Sequence, residues 1–272
     1  MEVKAFQKEY DTGHPNYKRW QKAREISNER AKFVEKIISN EILPEGLLIL
    51  DVGAGEGGTS QLLSQKNFVV SLEPKPERIR KIIDKDSLQP VMADTFKLPF
   101  KPGSFDLIIL QDVMEHLIVS EELIEGWYKH LTENGIIYLS TPNRLSLLNI
   151  IADPHWGLPF LSLFKRDQIK KYFLKLFRKS DYQREDIAEL LSLRNLYKLF
   201  SEKYLIKVYT KLSVEHLLNG GKGLIWSNFH LGLVKLANLL GLKSLLINIS
   251  NDKPGIINKF FTPTFYIILK KK

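Results

Sequence analysis

The strongest constraint on the fold is one short run, Leu47-Leu48-Ile49-Leu50 followed by Asp51-Val52-Gly53-Ala54-Gly55-Glu56-Gly57-Gly58. An uninterrupted apolar stretch of this length reads as a strand buried on both faces, as in a parallel sheet. The glycines behind it let the backbone turn tightly and approach a ligand closely, and a helix is expected to follow.

The rest of the chain repeats the pattern. Apolar runs recur at 68–72, 90–92, 105–110 and 135–140, with helical stretches at 59–65, 76–83 and 121–131 between them. Strands alternating with helices imply βαβ units, hence an α/β, Rossmann-like, mostly parallel sheet with helices on both faces. Residues 16–39 read as one amphipathic helix with Trp20, Ala23, Ala31, Val34, Ile37 and Ile38 near one face. The alternation stops after Asn143 and resumes at 192–200 and 204–208, and the chain closes on a strand at 262–269 whose proline lies at its start. We therefore expect a single domain over 1–272. Its parts are a helical N-terminal cap (1–43), a ligand-binding core (44–143), a first insertion (144–190) and a C-terminal core (191–272) interrupted by a second helical insertion (211–261).

Composition removes several chemistries. With 272 residues and 44% hydrophobic content the chain can bury a sizeable core. It has no cysteine, so any metal must be held by His, Asp or Glu. No uncharged apolar run reaches membrane-span length and the first residues are too charged for a secretory signal, which leads us to expect a cytoplasmic location. The net charge of +9 is unevenly spread: residues 1–150 carry 19 Lys/Arg against 22 Asp/Glu, whereas 151–272 carry 21 against 9. The second half is thus expected to meet something anionic, or to present a solvated lysine-rich surface.

On its own, the Gly53, Gly55, Gly58 spacing also satisfies the dinucleotide fingerprint, which keeps a NAD-dependent oxidoreductase open at this stage. The neighbouring strand ends favour another ligand. Asp51 closes the first strand and Glu73 the second, where a carboxylate can accept both hydroxyl protons of a ribose. Ala93-Asp94-Thr95 ends the third, and Gln111-Asp112 ends the fourth before Val113-Met114-Glu115-His116. This ordered set, with the closing strand made antiparallel, resembles the class I S-adenosylmethionine-dependent methyltransferases over about residues 47–143 and 262–270. The resemblance implies that the backbone of Gly53, Ala54 and Gly55 holds the methionine part of S-adenosyl-L-methionine, with Asp51 near its ammonium. It further implies Glu73 on the ribose, Pro74, Asp94 and Thr95 against the adenine, and Gln111 beneath the sulfonium. Residues 135–143, Gly-Ile-Ile-Tyr-Leu-Ser-Thr-Pro-Asn, are similar to small-molecule O-methyltransferases of the ubiquinone-biosynthesis type.

Methyl transfer to an alcohol or phenol is helped by a base, and histidine is suited to that at neutral pH. Two of the six histidines stand out as catalytic candidates. His116 follows the fourth strand, and His155 lies in Asp153-Pro154-His155-Trp156-Gly157, a loop able to cap an acceptor pocket. Asp112-x-x-Glu115-His116 is similar to the metal-binding Glu-x-x-Glu-His of ubiquinone-type and small-RNA methyltransferases, with Asp in place of the first Glu. No extra histidine is identifiable, and we assign no metal. The simplest alternative for His116 is a hydrogen-bonded place at a helix start.

Ile169, Tyr172, Phe173, Leu176 and Phe177 recur at helical spacing among Lys170, Lys171, Lys175, Arg178 and Lys179, a basic amphipathic pattern expected over 165–179. Residues 223–250 are apolar with Lys235 and Lys243 and no acid. Either stretch can touch an anionic membrane, cover a long apolar acceptor, or simply pack on the sheet. No RNA-binding module is recognisable, so nucleic acid ranks below a small-molecule or lipid-like methyl acceptor. A catalytically inert binding module remains a further alternative.

Overall fold

The computed structural model describes residues 12–13, 16–83, 86–184, 186–224 and 228–272. Seven strands form one sheet in the order β3-β2-β1-β4-β5-β7-β6. They are β1 Leu48–Val52, β2 Phe68–Leu72, β3 Leu88–Val91, β4 Phe105–Gln111, β5 Leu131–Pro142, β6 Tyr204–Val208 and β7 Thr264–Lys271. The first five pair in parallel, while β7 runs antiparallel to both β5 and β6. A reversed strand between the fifth and sixth departs from the 3-2-1-4-5-6 order of dinucleotide-binding sheets. This fits the fold expected from the methyltransferase resemblance. Pro90, which lacks a ladder donor, is accommodated because β3 is the sheet edge.

Neighbouring residues of the central strands enter opposite cores, as a doubly covered sheet requires. On one face Leu50, Ile108 and Leu139 pack with Trp127, Phe200 and Tyr204. On the other, Ile49, Ile109 and Tyr138 pack with Phe33, Val34, Ile37 and Ile38. The helices following β1, β2 and β4 are α3 Gly58–Leu63, α4 Pro76–Ile79 and α5 Glu121–His130, the last capped by Ser120 Oγ accepting from Leu123 N.

Two segments depart from the sequence expectation. Residues 16–39 form two helices, α1 Tyr17–Glu25 and α2 Ser27–Ile38, separated at Ile26, where ψ is 7°. Only α2 packs into the sheet; α1 buries no residue fully, and its Trp20 and Ala23 line a cavity over the end of β4. The break lets the first turns bend towards the first insertion.

The second segment, 165–179, is a succession of α7 Arg166–Gln168, a π-helix Ile169–Leu174 and α8 Lys175–Phe177. The wider π turn moves Leu174 inward beside Ile169, Trp156, Leu161 and Ile187. Tyr172, Leu176 and Phe177 are consequently left exposed, so the expected apolar stripe is divided between core and solvent. The rest of the first insertion includes α6 Leu147–Ile151. After it come α9 Leu193–Phe200, and then α10 Thr210–Leu218, α11 Asn228–Leu239, α12 Lys243–Ile249 and α13 Ile256–Phe260 of the second. Buried Asn143 joins the two insertions to the sheet: its amide donates to the carbonyls of Asn258, Lys259 and Thr262.

Candidate functional site

The β1 turn is held by backbone geometry. Gly53, Gly55 and Gly57 have φ of +66°, +60° and +79°, values open to glycine and costly for other residues. A Cβ on Gly53 would also lie 2.8 Å from Val113 Cγ2, so the turn can sit against the β4 loop only without a side chain. Gly53 N and Ala54 N both donate to Leu72 O, at 2.7 and 3.1 Å, which fastens the turn to the end of β2.

Glu73 lies directly over this turn. Its Oε2 accepts from Gly55 N at 2.9 Å and its Oε1 from Lys75 N at 3.0 Å. Asp51 accepts from Ser60 Oγ at 2.5 Å. Burial, offset in part by that bond, pushes the Asp51 carboxyl up to about 7, and the neighbouring Glu73 charge adds to the rise. Burial raises Glu73 as well, against Arg78 and the two backbone donors. Two buried acids side by side, both reluctant to ionise, make a place that favours a bound cation. Gln111 completes the cluster by accepting from Thr59 Oγ1 at 2.6 Å.

Structure thus brings Asp51, Gly53, Ala54, Gly55, Glu73 and Gln111 together at the carboxyl edge of the sheet. The N–H groups of Gly53 and Ala54 serve Leu72 and that of Gly55 serves Glu73, so the expected backbone donors to a methionine group are all engaged within the protein. Pro74 is exposed beside Glu73. At the end of β3, Asp94 is exposed and its Oδ1 accepts from Phe96 N at 3.0 Å, a turn-forming role, while Thr95 is buried.

A second group of side chains sits past β4. His116 ends a single 3-10 turn, Met114–His116, and its Nδ1 is 2.9 Å from Asp186 O. A carbonyl only accepts, so Nδ1 carries the proton and Nε2 keeps its lone pair. His155 meets it edge-on with ring centroids 5.3 Å apart, and His155 Nε2 lies 3.9 Å from Glu115 Oε1. Burial lowers both imidazoles to about 4, so each is neutral at physiological pH and neither keeps the ordinary histidine value expected from sequence. Glu115 is pushed up to about 8 by burial and by Asp112, although Thr141 Oγ1 donates to its Oε2 at 2.9 Å. Glu115 Oε1 and His155 Nδ1 are buried without a hydrogen-bond partner. The two histidines border a cavity of about 120 Å³ with Arg19, Trp20, Trp156 and Arg184.

The resemblance placed Asp112 with Glu115 and His116, but the oxygens of Asp112 are held by Arg30 and by Ser140 Oγ at 2.8 Å, with φ of +54° at Asp112. Instead His155 joins them: Glu115, His116 and His155 each offer one donor atom, all within 4.8 Å of one another. Single-sequence reasoning also missed the ties that close the site from above. Arg24 Nε donates to Glu56 Oε1 at 3.0 Å, Arg30 pairs with Asp112, and Lys75 Nζ meets Asp186 Oδ2 at 2.8 Å. Although burial opposes it, the cations Arg184 and Lys75 hold Asp186 far below the usual carboxylate range. No local signal announces pairs so distant along the chain.

Comparison with known proteins agrees with this geometry. Residues 50–139 match the methyltransferase-domain family. The chain is 27% identical over 118 residues to the mitochondrial ubiquinone biosynthesis O-methyltransferase of Bos taurus, covering 38% of this chain and 30% of that protein. It is 28% identical over 108 residues to the Caulobacter vibrioides ubiquinone biosynthesis O-methyltransferase, covering 37% and 42%. The matches therefore span less than half the length of these relatives. Among solved structures, the plantazolicin methyltransferase in complex with S-adenosylhomocysteine superposes with a TM-score of 0.55 at 15% identity, over 98% of this chain and 94% of that one. An S-adenosylmethionine-dependent methyltransferase from Mesorhizobium loti gives 0.53 at 15%, over 89% and 98%. With its glycine turn, its strand-end acids and its sheet order, the chain has the fold of the class I S-adenosylmethionine-dependent methyltransferases, and residues 50–139 are its methyltransferase domain.

Proposed function

We propose that this chain transfers a methyl group from S-adenosylmethionine to a hydroxyl oxygen of a small-molecule or lipid-like acceptor. The observation that carries the acceptor side is the His116/His155 cavity past β4, which is comparable in size with the ~150 Å³ apolar cavity known to admit benzene. One ring or one chain end fits it. The names of the ubiquinone-type relatives support oxygen as the acceptor atom.

When bound, the cofactor supplies a methyl group already activated by the sulfonium. Glu73 would hold its ribose and Asp51 would meet its ammonium, beside the glycine turn that Gly55 N ties to Glu73. The protein then aligns the acceptor and excludes water, with Trp20 and Trp156 on the cavity wall. His155 would take the proton of the acceptor hydroxyl, with the Glu115 carboxyl 3.9 Å from its Nε2. Radiolabelled transfer onto a panel of phenols and alcohols tests the reading. His155→Ala is expected to lower kcat about a hundredfold while S-adenosylhomocysteine binds as before. Cofactor binding with no hydroxyl acceptor methylated would remove the oxygen assignment.

One observation favours a metal-assisted variant. The unpartnered Glu115 Oε1 stands with His116 and His155 in a set of one oxygen and two nitrogens, a donor set suited to a first-row divalent ion. Asp186 O would orient His116 from behind, as metal-bound imidazoles commonly require. Such an ion would polarise the acceptor hydroxyl. Calorimetric titration with Zn²⁺ and Mg²⁺ decides it: binding lost in His155→Ala supports the variant, and no heat with either ion removes it.

The same reading includes a cytoplasmic enzyme resting weakly on the inner membrane surface through 165–179, supported by exposed Tyr172, Leu176 and Phe177 among lysines.

A further inference from the structure

Between Glu215 and Asp252 the chain has no acidic side chain, while Lys222, Lys235 and Lys243 fall within that interval. It contains α11 and α12, which turn about Gly241 at φ +69°. Among the described residues no single helix is long and apolar enough to cross a membrane, and the segments His230–Leu239 and Lys243–Ile249 meet at 112°. A span needs about 20 consecutive helical residues, so this hairpin can lie along a bilayer but its helices cannot individually cross one.

The hairpin rests on α10, and buried His230 approaches Leu148 O of the first insertion at 3.5 Å. Its outer side is uncovered. Leu239 is 84% exposed, Leu240 61%, Leu245 55% and Leu236 49%, and no residue of 231–249 is buried. Lys235 and Lys243 are exposed among these leucines. A hairpin held in place only to be solvated gains nothing from four projecting leucines, whereas a lipid surface takes both components: leucine into the acyl boundary, ammonium onto phosphate. The absence of any carboxylate removes the repulsion that an anionic surface would otherwise meet, and the surplus of Lys/Arg over Asp/Glu in 151–272 acts in the same direction.

We propose that the α11–α12 hairpin is a membrane-docking element, lying in the interface of a bilayer that contains anionic lipid, with Leu236, Leu239, Leu240 and Leu245 inserted and Lys235 and Lys243 on the headgroups. This assignment stands on the second insertion alone and is independent of the methyl acceptor.

Flotation of the full chain with phosphatidylcholine vesicles, with and without phosphatidylglycerol, tests it. Recovery is expected to rise at least about fivefold with the anionic lipid, the weight of one lysine near a charged surface, and to fall at ~0.5 M salt. The double variant Leu239→Glu/Leu240→Glu, both positions exposed, should return recovery to the phosphatidylcholine level while circular dichroism and S-adenosylhomocysteine affinity stay unchanged. Leu176→Glu/Phe177→Glu, on the separate basic segment, should retain most of the binding. Equal recovery with and without phosphatidylglycerol, or recovery undiminished by the Leu239/Leu240 variant, overturns the proposal. So does a dimer seen by light scattering that the same variant dissolves without any vesicle binding, since a second copy would then occupy this face.

Discussion

Residues 44–143 and residues 228–249 are both rich in leucine, isoleucine and valine, yet they use them in opposite ways. In the first, strands enter the sheet with both faces covered, and Leu50, Val52, Leu72, Ile108 and Ile109 are wholly inaccessible. In the second, a hairpin rests on α10 and meets the first insertion at His230, and Leu236, Leu239, Leu240 and Leu245 are exposed. Residue type sets how strongly a side chain avoids water; the number of elements meeting around it decides whether it can. The same contrast holds for charge. In the core, burial displaces the titrations of Asp51, Glu115, His116 and His155 together, whereas the lysines of the hairpin remain in water.

Four measurements sharpen or break that contrast, from the largest effect downward. Trp127→Ala removes a fully buried indole of α5 from the core on one face of the sheet and should lower chemical-denaturation stability by about 3–5 kcal/mol. A loss near that of a surface residue would mean the core is loosely packed. Glu73→Ala should weaken S-adenosylhomocysteine binding by about 2 kcal/mol, the scale of charge-assisted hydrogen bonds to a ligand, with little change in the circular dichroism spectrum; calorimetry giving wild-type affinity would remove Glu73 from the ribose. The third concerns pH. A raised carboxyl pKa means that the ligand-free folded chain holds a proton the unfolded chain releases, so Asp51 lowers stability as pH rises from about 4 towards 7. On the proposed reading the ionised form meets the cofactor ammonium, so S-adenosylhomocysteine should bind more tightly at pH 8 than at pH 6. Asp51→Asn should flatten both dependences, and an unchanged pH profile in that variant would assign them elsewhere. Smallest is Leu239→Ala, expected to change stability by no more than about 0.5 kcal/mol. A larger loss would show the hairpin leucine to be packed after all.

Much of the core was legible because its signals are local. The run Leu47 to Gly58 states strand, sharp turn and helix within a few residues, and Glu73 and Gln111 mark strand ends through the change from apolar to polar. Helix 16–39 and segment 165–179 are less legible for a common reason. Helical spacing identifies a helix but not a break such as that at Ile26, nor a π turn that rotates Leu174 inward. His155 was singled out from its loop, but its meeting with Glu115 and His116 depends on the path of the first insertion.

The sequence alone determined the alternation of elements, the glycine turn and the acids at its rim, because each depends on neighbours within a few positions. It also determined the absence of thiol chemistry and the basic second half. Tertiary structure decided the pairing of Glu73 with Gly55, the exchange of Asp112 for His155 beside Glu115, the perturbed protonation of the buried acids and imidazoles, and the outward leucines of α11–α12. Burial and long-range charge are properties of what surrounds a residue in space, and that is fixed only once distant segments have packed.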